Sequence, residues 1–263
     1  MWIDAHAHLD APAFDADRDE VVARAASAGV ALMVSAGTSV DGSRRALALA
    51  ERYSSVVAAV GIHPEASGNA TQADFEALAT LARHPRVVAI GEVGLDYYRD
   101  HAPRTHQIKA FRSQIRLARE ADLPLVVHDR EAHEDVEQIL REEGAARVVL
   151  HCFSGTPDMA LRCAAAGWML SFAGPLTFAK SAGLREVARA LPIDRLLVET
   201  DAPYLAPEPF RGRRCEPAFL VHTARALAAA RGTDSASLET ALAQNARSVF
   251  ALSDEAIRLA AGS

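Results

Sequence analysis

The chain has 263 residues, 50% of them hydrophobic and 24% charged, with a formal net charge of −6. That length and composition exclude a disordered chain and suit one large α/β unit, expected to span 1–263 as a single barrel domain. The acidic balance excludes a protein that coats nucleic acid by its overall field, because such binding rests on many Lys and Arg contacts to phosphate. The three cysteines, Cys152, Cys163 and Cys215, form no CxxC pair, so neither a disulfide framework nor a zinc knuckle is expected. The opening MWIDAHAHLD lacks the features of a signal peptide, and no stretch approaches the roughly 18 apolar residues of a membrane span. The expectation is a reduced, soluble, cytoplasmic protein with no membrane association, and the sequence implies no protein partner and leaves the oligomeric state open.

Along the chain, a first strand at Trp2–Asp4 is followed by a helix over Asp17–Ala28 that ends at Gly29. Strands are expected at Ala31–Ser35, Val56–Val60 and Val87–Ile90. The helix Thr105–Ala121 opens on Thr105 as N-cap and turns Ile108, Phe111, Ile115 and Leu117 towards one side. A strand at Leu125–Val127 precedes a helix over His133–Glu143, and a strand at Val148–Leu150 precedes a helix over Pro157–Ala166. After a strand at Met169–Phe172, Pro175–Leu191 reads as a loop and then a helix from about Leu184. The last strand, Leu196–Val198, leads to two final helices, Pro217–Arg231 and Ala236–Phe250. Most of these strands are continuous apolar runs, as parallel strands buried on both faces require. The alternation predicts a (β/α)8 TIM-type barrel with extra C-terminal helices. A doubly wound open sheet is the alternative, but it would show a Gly-rich turn after its first strand, where this chain has His-Ala-His.

Five of the ten histidines fall at or just beyond the C-terminal end of an expected strand: His6, His8, His63, His128 and His151. Glu92 follows the fourth strand and Asp201 the eighth. In a barrel those ends converge on the face that carries catalysis. The two-residue spacing of His6 and His8 on an extended segment points both imidazoles to one side. With Glu92 and Asp201 beside them they make a mixed nitrogen and oxygen site suited to Zn, Mn or a similar ion. His128 and His151 are candidates for a second ion with Glu92 as bridge, and two ions together would activate a water.

Other residues have two readings each. His63, in Gly61-Ile62-His63-Pro64, contacts substrate or fixes the turn before Pro64. Arg130 neutralises an anionic substrate or pairs with Asp129 or Glu131. Arg211, Arg213 and Arg214 face the site or are merely solvated. Cys152 has no evident base to make it a nucleophile, and Asp96, Tyr97 and Tyr98 read as packing of the barrel mouth.

These segments together resemble the TatD family of metal-dependent deoxyribonucleases, within the amidohydrolase-like barrel group. The likeness runs through Asp4–Asp10, Gly61–Pro64, Gly91–Tyr98, Val127–Ala132, His151–Gly155, Glu199–Leu205 and Arg211-Gly212. It implies two divalent ions (Mg, Mn or Zn), one held by His6, His8, Glu92 and Asp201 and the other by Glu92, His128 and His151. It also implies phosphodiester cleavage in DNA, as a 3′-to-5′ exonuclease preferring single strands. Two positions depart from the family pattern: Cys215 stands where an Asn is usual, and Asp129 where a Ser is usual. The expected mechanism uses a metal-activated water with Glu92 and Asp201 as catalytic groups, Asp201 being the base. His63, Arg130 and Arg211 are the expected substrate contacts. The rivals are an enzyme of the same site acting on a small amide, lactone or ester, and a non-catalytic binding module on the same fold.

Overall fold

Residues 1–99 and 101–253 are described by a computed structural model, and the last ten residues of the expected 1–263 unit lie outside them. The apolar runs form parallel strands, β1 (Trp2–Ala7), β2 (Val30–Ala36), β3 (Val56–Val60) and β4 (Val87–Asp96), then β5 (Leu125–Arg130), β6 (Val148–Leu150), β7 (Met169–Phe172) and β8 (Leu196–Val198). Each pairs with the next in chain order. The ring closes just past β8, where Asp201 N–H donates to the His6 carbonyl at 2.9 Å and His8 N–H donates to the Ala202 carbonyl at 2.7 Å. Asp4 accepts the Thr200 N–H at 2.9 Å across the same seam. The (β/α)8 barrel is the observed fold.

Helices α1 (Arg18–Ser27), α2 (Val40–Arg52), α3 (Gln72–Leu81), α4 (Arg104–Glu120) and α5 (His133–Glu142) cover the outside, followed by α6 (Pro157–Ala165) and α7 (Ala182–Ala190). The two C-terminal helices are α8 (Leu220–Arg231) and α9 (Ser235–Val249). Two of these were not among the expected helices, although both carry N-terminal signals. Ser39 caps α2 by accepting the Gly42 N–H at 3.1 Å, and Thr71 with Asp74 forms a capping box on α3. Thr105 caps nothing, because α4 starts one residue earlier behind Pro103. Proline there fixes φ and leaves an already partnerless position without an N–H.

The core has two layers. Ile3, Ala5, Leu32, Val34, Val57, Ala59, Ala89, Val126, Val149 and Leu197 meet inside the barrel, where Val249, Phe250 and Leu252 close the base. Between strands and helices lies a larger layer containing Phe14, Met33, Phe111, Ile115, Trp168 and Leu227. Phe250 is 1% exposed. Replacing it with alanine is expected to cost about 3–5 kcal/mol in denaturant unfolding. A cost near zero would mean that the base of the barrel is closed by something else.

Strand parity explains which polar residues reach the mouth. Val126 and Val149 face the interior, so His128 and His151, each two residues on, face it too. β1 and β4 differ. Ile3 and Ala5 lie inside while Ala7 packs outside, and the β1–β2 register shifts between Asp4 and Ala7. β4 shifts likewise between Ile90 and Val93, both of which pack outside. These irregularities turn His6, His8 and Glu92 inward.

Candidate metal centre

His6 and His8 bring their Nε2 atoms to 3.2 Å from each other. Glu92 Oε2 lies 3.6 Å from His6 Nε2 and 3.3 Å from His8 Nε2. Asp201 Oδ1 lies 3.7 and 3.4 Å from the same two nitrogens. The other oxygen, Glu92 Oε1, is 2.8 Å from both His128 Nδ1 and His151 Nε2 and 3.4 Å from His63 Nε2. Glu92 thus stands between two imidazole sets and turns one oxygen to each. The six residues expected to collect do collect, and His63 joins them. It also fixes its turn, since its Nδ1 accepts the Glu65 N–H at 3.2 Å.

Outer partners decide which ring nitrogen faces inward. His8 Nδ1 is 3.0 Å from the Ala36 carbonyl, which only accepts, so Nδ1 carries a proton and Nε2 is the nitrogen that a metal would claim on displacing its proton. His151 Nδ1 lies 3.3 Å from Glu199 Oε1, which also accepts the Cys152 N–H at 2.7 Å. His128 is reversed, with Nε2 at 3.1 Å from Asp96 Oδ2 and Nδ1 towards Glu92. Sequence reasoning did not single out Glu199 and gave Asp96 only a packing role. The signal for Glu199 was its place two residues after Leu197, which faces the barrel interior.

Two buried glutamines on α4 hold the loops that present these groups. Gln114 accepts the Ile62 N–H at 2.7 Å and donates to the Ile62 carbonyl at 3.0 Å, next to His63. Gln107 does the same for Asp96, at 2.8 and 3.0 Å. Asp201 and Cys152 adopt φ of +55° and +43°. Left-handed backbone at non-glycine residues persists where the surroundings over-determine it, commonly at functional sites.

Charge is concentrated here. Burial opposes ionisation of Glu92, but His63 and His151 and hydrogen bonds from His128 and His151 hold its carboxyl well below the ordinary range. Asp201 is likewise held low despite burial, chiefly by His8. Burial also works against protonation of His8, yet Asp201 and Glu92 raise it to about 9. For His6, burial and the adjacent His151 prevail over Glu92 and push it down. The Cys152 thiol is driven well up by burial and then by the Asp201, Glu199 and Glu92 carboxylates. It stays protonated, which removes it as a nucleophile.

The donor set fits a cation. Ligands adjacent on a tetrahedral ion with bonds of about 2.0–2.2 Å stand about 3.3–3.6 Å apart. The imidazole–carboxylate separations around His6 and His8 run from 3.3 to 3.7 Å. Buried His6 Nδ1 has no hydrogen-bond partner, so this ring is held by its Nε2 side. The triads His6, His8 and Asp201, then His6, Glu92 and His151, then His63, Glu92 and His128 each place their donor atoms within 4.8 Å of one another.

Above the centre opens a cleft of about 1330 Å³, lined among others by Arg130, Arg211 and Arg213. Arg130 does not pair with Asp129 or Glu131. Its guanidinium lies 4.3 Å from the centre of the Tyr98 ring, while Asp129 Oδ2 is 2.8 Å from His133 Nδ1. Arg211 lies 4.3 Å over the Phe178 ring. Among the described residues, neither arginine has a carboxylate within salt-bridge distance. Arg214 turns away from the cleft and binds Asp17 at 2.7 Å, so the basic run divides. Cys215 is buried, with Sγ 3.8 Å from the Thr200 carbonyl.

With this geometry in view, comparison with known proteins is decisive: the family model described as TatD related DNase matches residues 3–251. The chain belongs to the TatD family. A metal-dependent hydrolase of Bacillus subtilis, YabD, is 40% identical over 252 residues, covering 95% of this chain and 99% of its own. A 3′-5′ ssDNA/RNA exonuclease TatD of Musicola paradisiaca is 39% identical, covering 95% and 97%. The crystal structure of the TatD homologue YJJV from Escherichia coli superposes with a TM-score of 0.91 at 31% identity, covering 96% and 98%. This TatD-family chain is therefore a metal-dependent hydrolase, and its histidine and carboxylate clusters are compatible with metal binding. No helix among the described residues is long and apolar enough to cross a membrane.

Proposed function

We propose that the chain shortens single-stranded DNA from its 3′ end by hydrolysing phosphodiester bonds, with two divalent ions that the residues around Glu92 would hold. The observation that carries this reading is the division of Glu92, whose Oε2 faces His6 and His8 while its Oε1 faces His128 and His151. His6, His8, Glu92 and Asp201 would hold one ion. Glu92, His128 and His151 would hold the other, with His63 close enough to Glu92 to add a donor or to meet substrate. Mixed imidazole and carboxylate donors suit Mn or Zn, and Mg where water completes the shell. Bound ions of this kind acidify a water towards neutral pH and offset charge on the phosphoryl oxygens.

The chain's own residues do the rest. Asp201, whose Oδ1 lies beside His6 and His8 at the centre, takes the proton of the attacking water. Arg130 and Arg211, each resting on an aromatic ring at the cleft wall, bind phosphates. The acidic chain can accept an anionic substrate because positive charge gathers where the phosphate sits.

Single-stranded DNA labelled at its 5′ end, incubated with protein and Mg or Mn, should shorten stepwise from the 3′ end. Chelator should stop the reaction and added metal restore it. No shortening would move the assignment to a small amide, lactone or ester. Retention of every activity after chelation would overturn the metal mechanism.

A related result is expected at Glu199. Glu199→Gln keeps an acceptor for His151 but removes the charge, and metal affinity should fall about 10–100-fold with the fold intact. Metal titration followed by a thermal melt checks both parts. Unchanged affinity would detach Glu199 from the centre.

A further inference from the structure

The four tyrosines divide into two kinds. Tyr53 and Tyr97 direct their hydroxyls at Asp19 and Asp135, as anchored tyrosines do. Tyr98 and Tyr204 are 64% and 56% exposed, and among the described residues no hydrogen bond holds either hydroxyl. Both sit at the catalytic mouth, but their faces differ in availability. Tyr98 is covered by the Arg130 guanidinium at 4.3 Å. Tyr204 lines the cleft together with Leu205, which is 39% exposed, and its ring centre is 5.9 Å from that of His8. An exposed aromatic beside an exposed Leu on the wall of the cleft offers a flat apolar surface to whatever enters it.

The segment that carries Tyr204 is fixed rather than loose. Its N–H donates to the Asp201 carbonyl at 2.8 Å, and Cys215 N–H donates to the Pro203 carbonyl at 2.9 Å. The Leu205 carbonyl packs so tightly on Gly174 that a Cβ there would meet its oxygen at 1.8 Å. The backbone that carries the ring is therefore set relative to Asp201, on the same turn.

We infer that Tyr204 is the platform on which the terminal nucleobase of the substrate stacks, a role that rests on the exonuclease reading above. Every base offers a flat π-face, so such a platform accepts all sequences. It also favours single strands, because an unpaired terminal base is free to turn onto the ring, whereas a base held by pairing must first give up its partner. Tyr204 is here a positioning residue: it sets the terminal nucleotide so that its phosphodiester lies at the centre beneath.

The test uses a single-stranded oligonucleotide with either a normal or an abasic 3′-terminal nucleotide, and kcat/KM for its release. Wild type should lose roughly tenfold on removal of the base. Tyr204→Phe should keep that penalty. Tyr204→Ala should abolish it, losing on the normal oligonucleotide what wild type loses on the abasic one, mainly through KM. A general structural defect would lower both substrates alike and leave the ratio standing. The platform is overturned if Tyr204→Ala keeps the wild-type penalty, or if wild type shows none. If wild type shortens neither oligonucleotide, the exonuclease reading fails and takes the platform with it.

Discussion

Asp201→Ala is expected to lower kcat/KM on single-stranded DNA by about 10²–10⁴-fold, the range spanned by a positioned general base. The size follows from where the carboxylate sits. Its Oδ1 lies 3.7 Å from His6 Nε2 and 3.4 Å from His8 Nε2, so its loss removes a proposed ligand and a proton acceptor together. Asp201→Asn separates the two roles, because the amide keeps one oxygen but cannot take a proton. If Asp201 were only a ligand, raising the metal concentration would restore most of the Asn variant's rate. If it is the base, activity stays low with the metal site filled. Rates across a Mn titration for both variants decide this, and full recovery of the Asn variant at saturation would remove Asp201 as the base.

A stability loss of about 3–5 kcal/mol is expected from Gly94→Ala, the sum of backbone strain and overpacking. Gly94 has φ of +134°, where L residues are strained, and a Cβ there would lie 2.0 Å from the His128 carbonyl oxygen. β4 and β5 pair Gly94 directly with His128, so relief of the clash must push His128 away from Glu92. Denaturant unfolding should show the loss, and metal titration should show weaker binding on the His128 side. A variant within about 1 kcal/mol of wild type with unchanged metal binding would contradict this account of the strand pair.

How far the sequence spoke for the structure depended on what each strand had to carry. Val56–Val60, Val148–Leu150, Met169–Phe172 and Leu196–Val198 form strands with the bounds their apolar runs announce. β1, β4 and β5 run further than expected, to Ala7, Asp96 and Arg130. Their extensions hold His6, Glu92 and His128, whose polarity ends the apolar run while the backbone stays extended. Apolar pattern measures burial against hydrocarbon, and these residues are buried against one another instead. His6 is 0% and Glu92 3% exposed.

The register shifts in β1 and β4 were equally hidden, since a bulge leaves no fixed sequence mark. Grouping the six residues at one mouth needed only strand order and barrel topology. The place of His63 against Glu92 emerges only in the folded barrel, as do those of Glu199 behind His151 and Asp96 behind His128. In the outer layer α2 was obscured because its buried face rests on the small residues Ala46 and Ala50 beside Leu47. α3 buries little beyond Leu78, so its capping box outweighed its periodicity as a signal.

The most direct test of the central claim is anomalous diffraction from crystals of the protein equilibrated with Mn. Two peaks are predicted, one beside His6, His8 and Asp201 and one beside His128 and His151, with Glu92 touching both. A single peak at saturating Mn, or ions that leave Glu92 without contact, would contradict the two-ion centre.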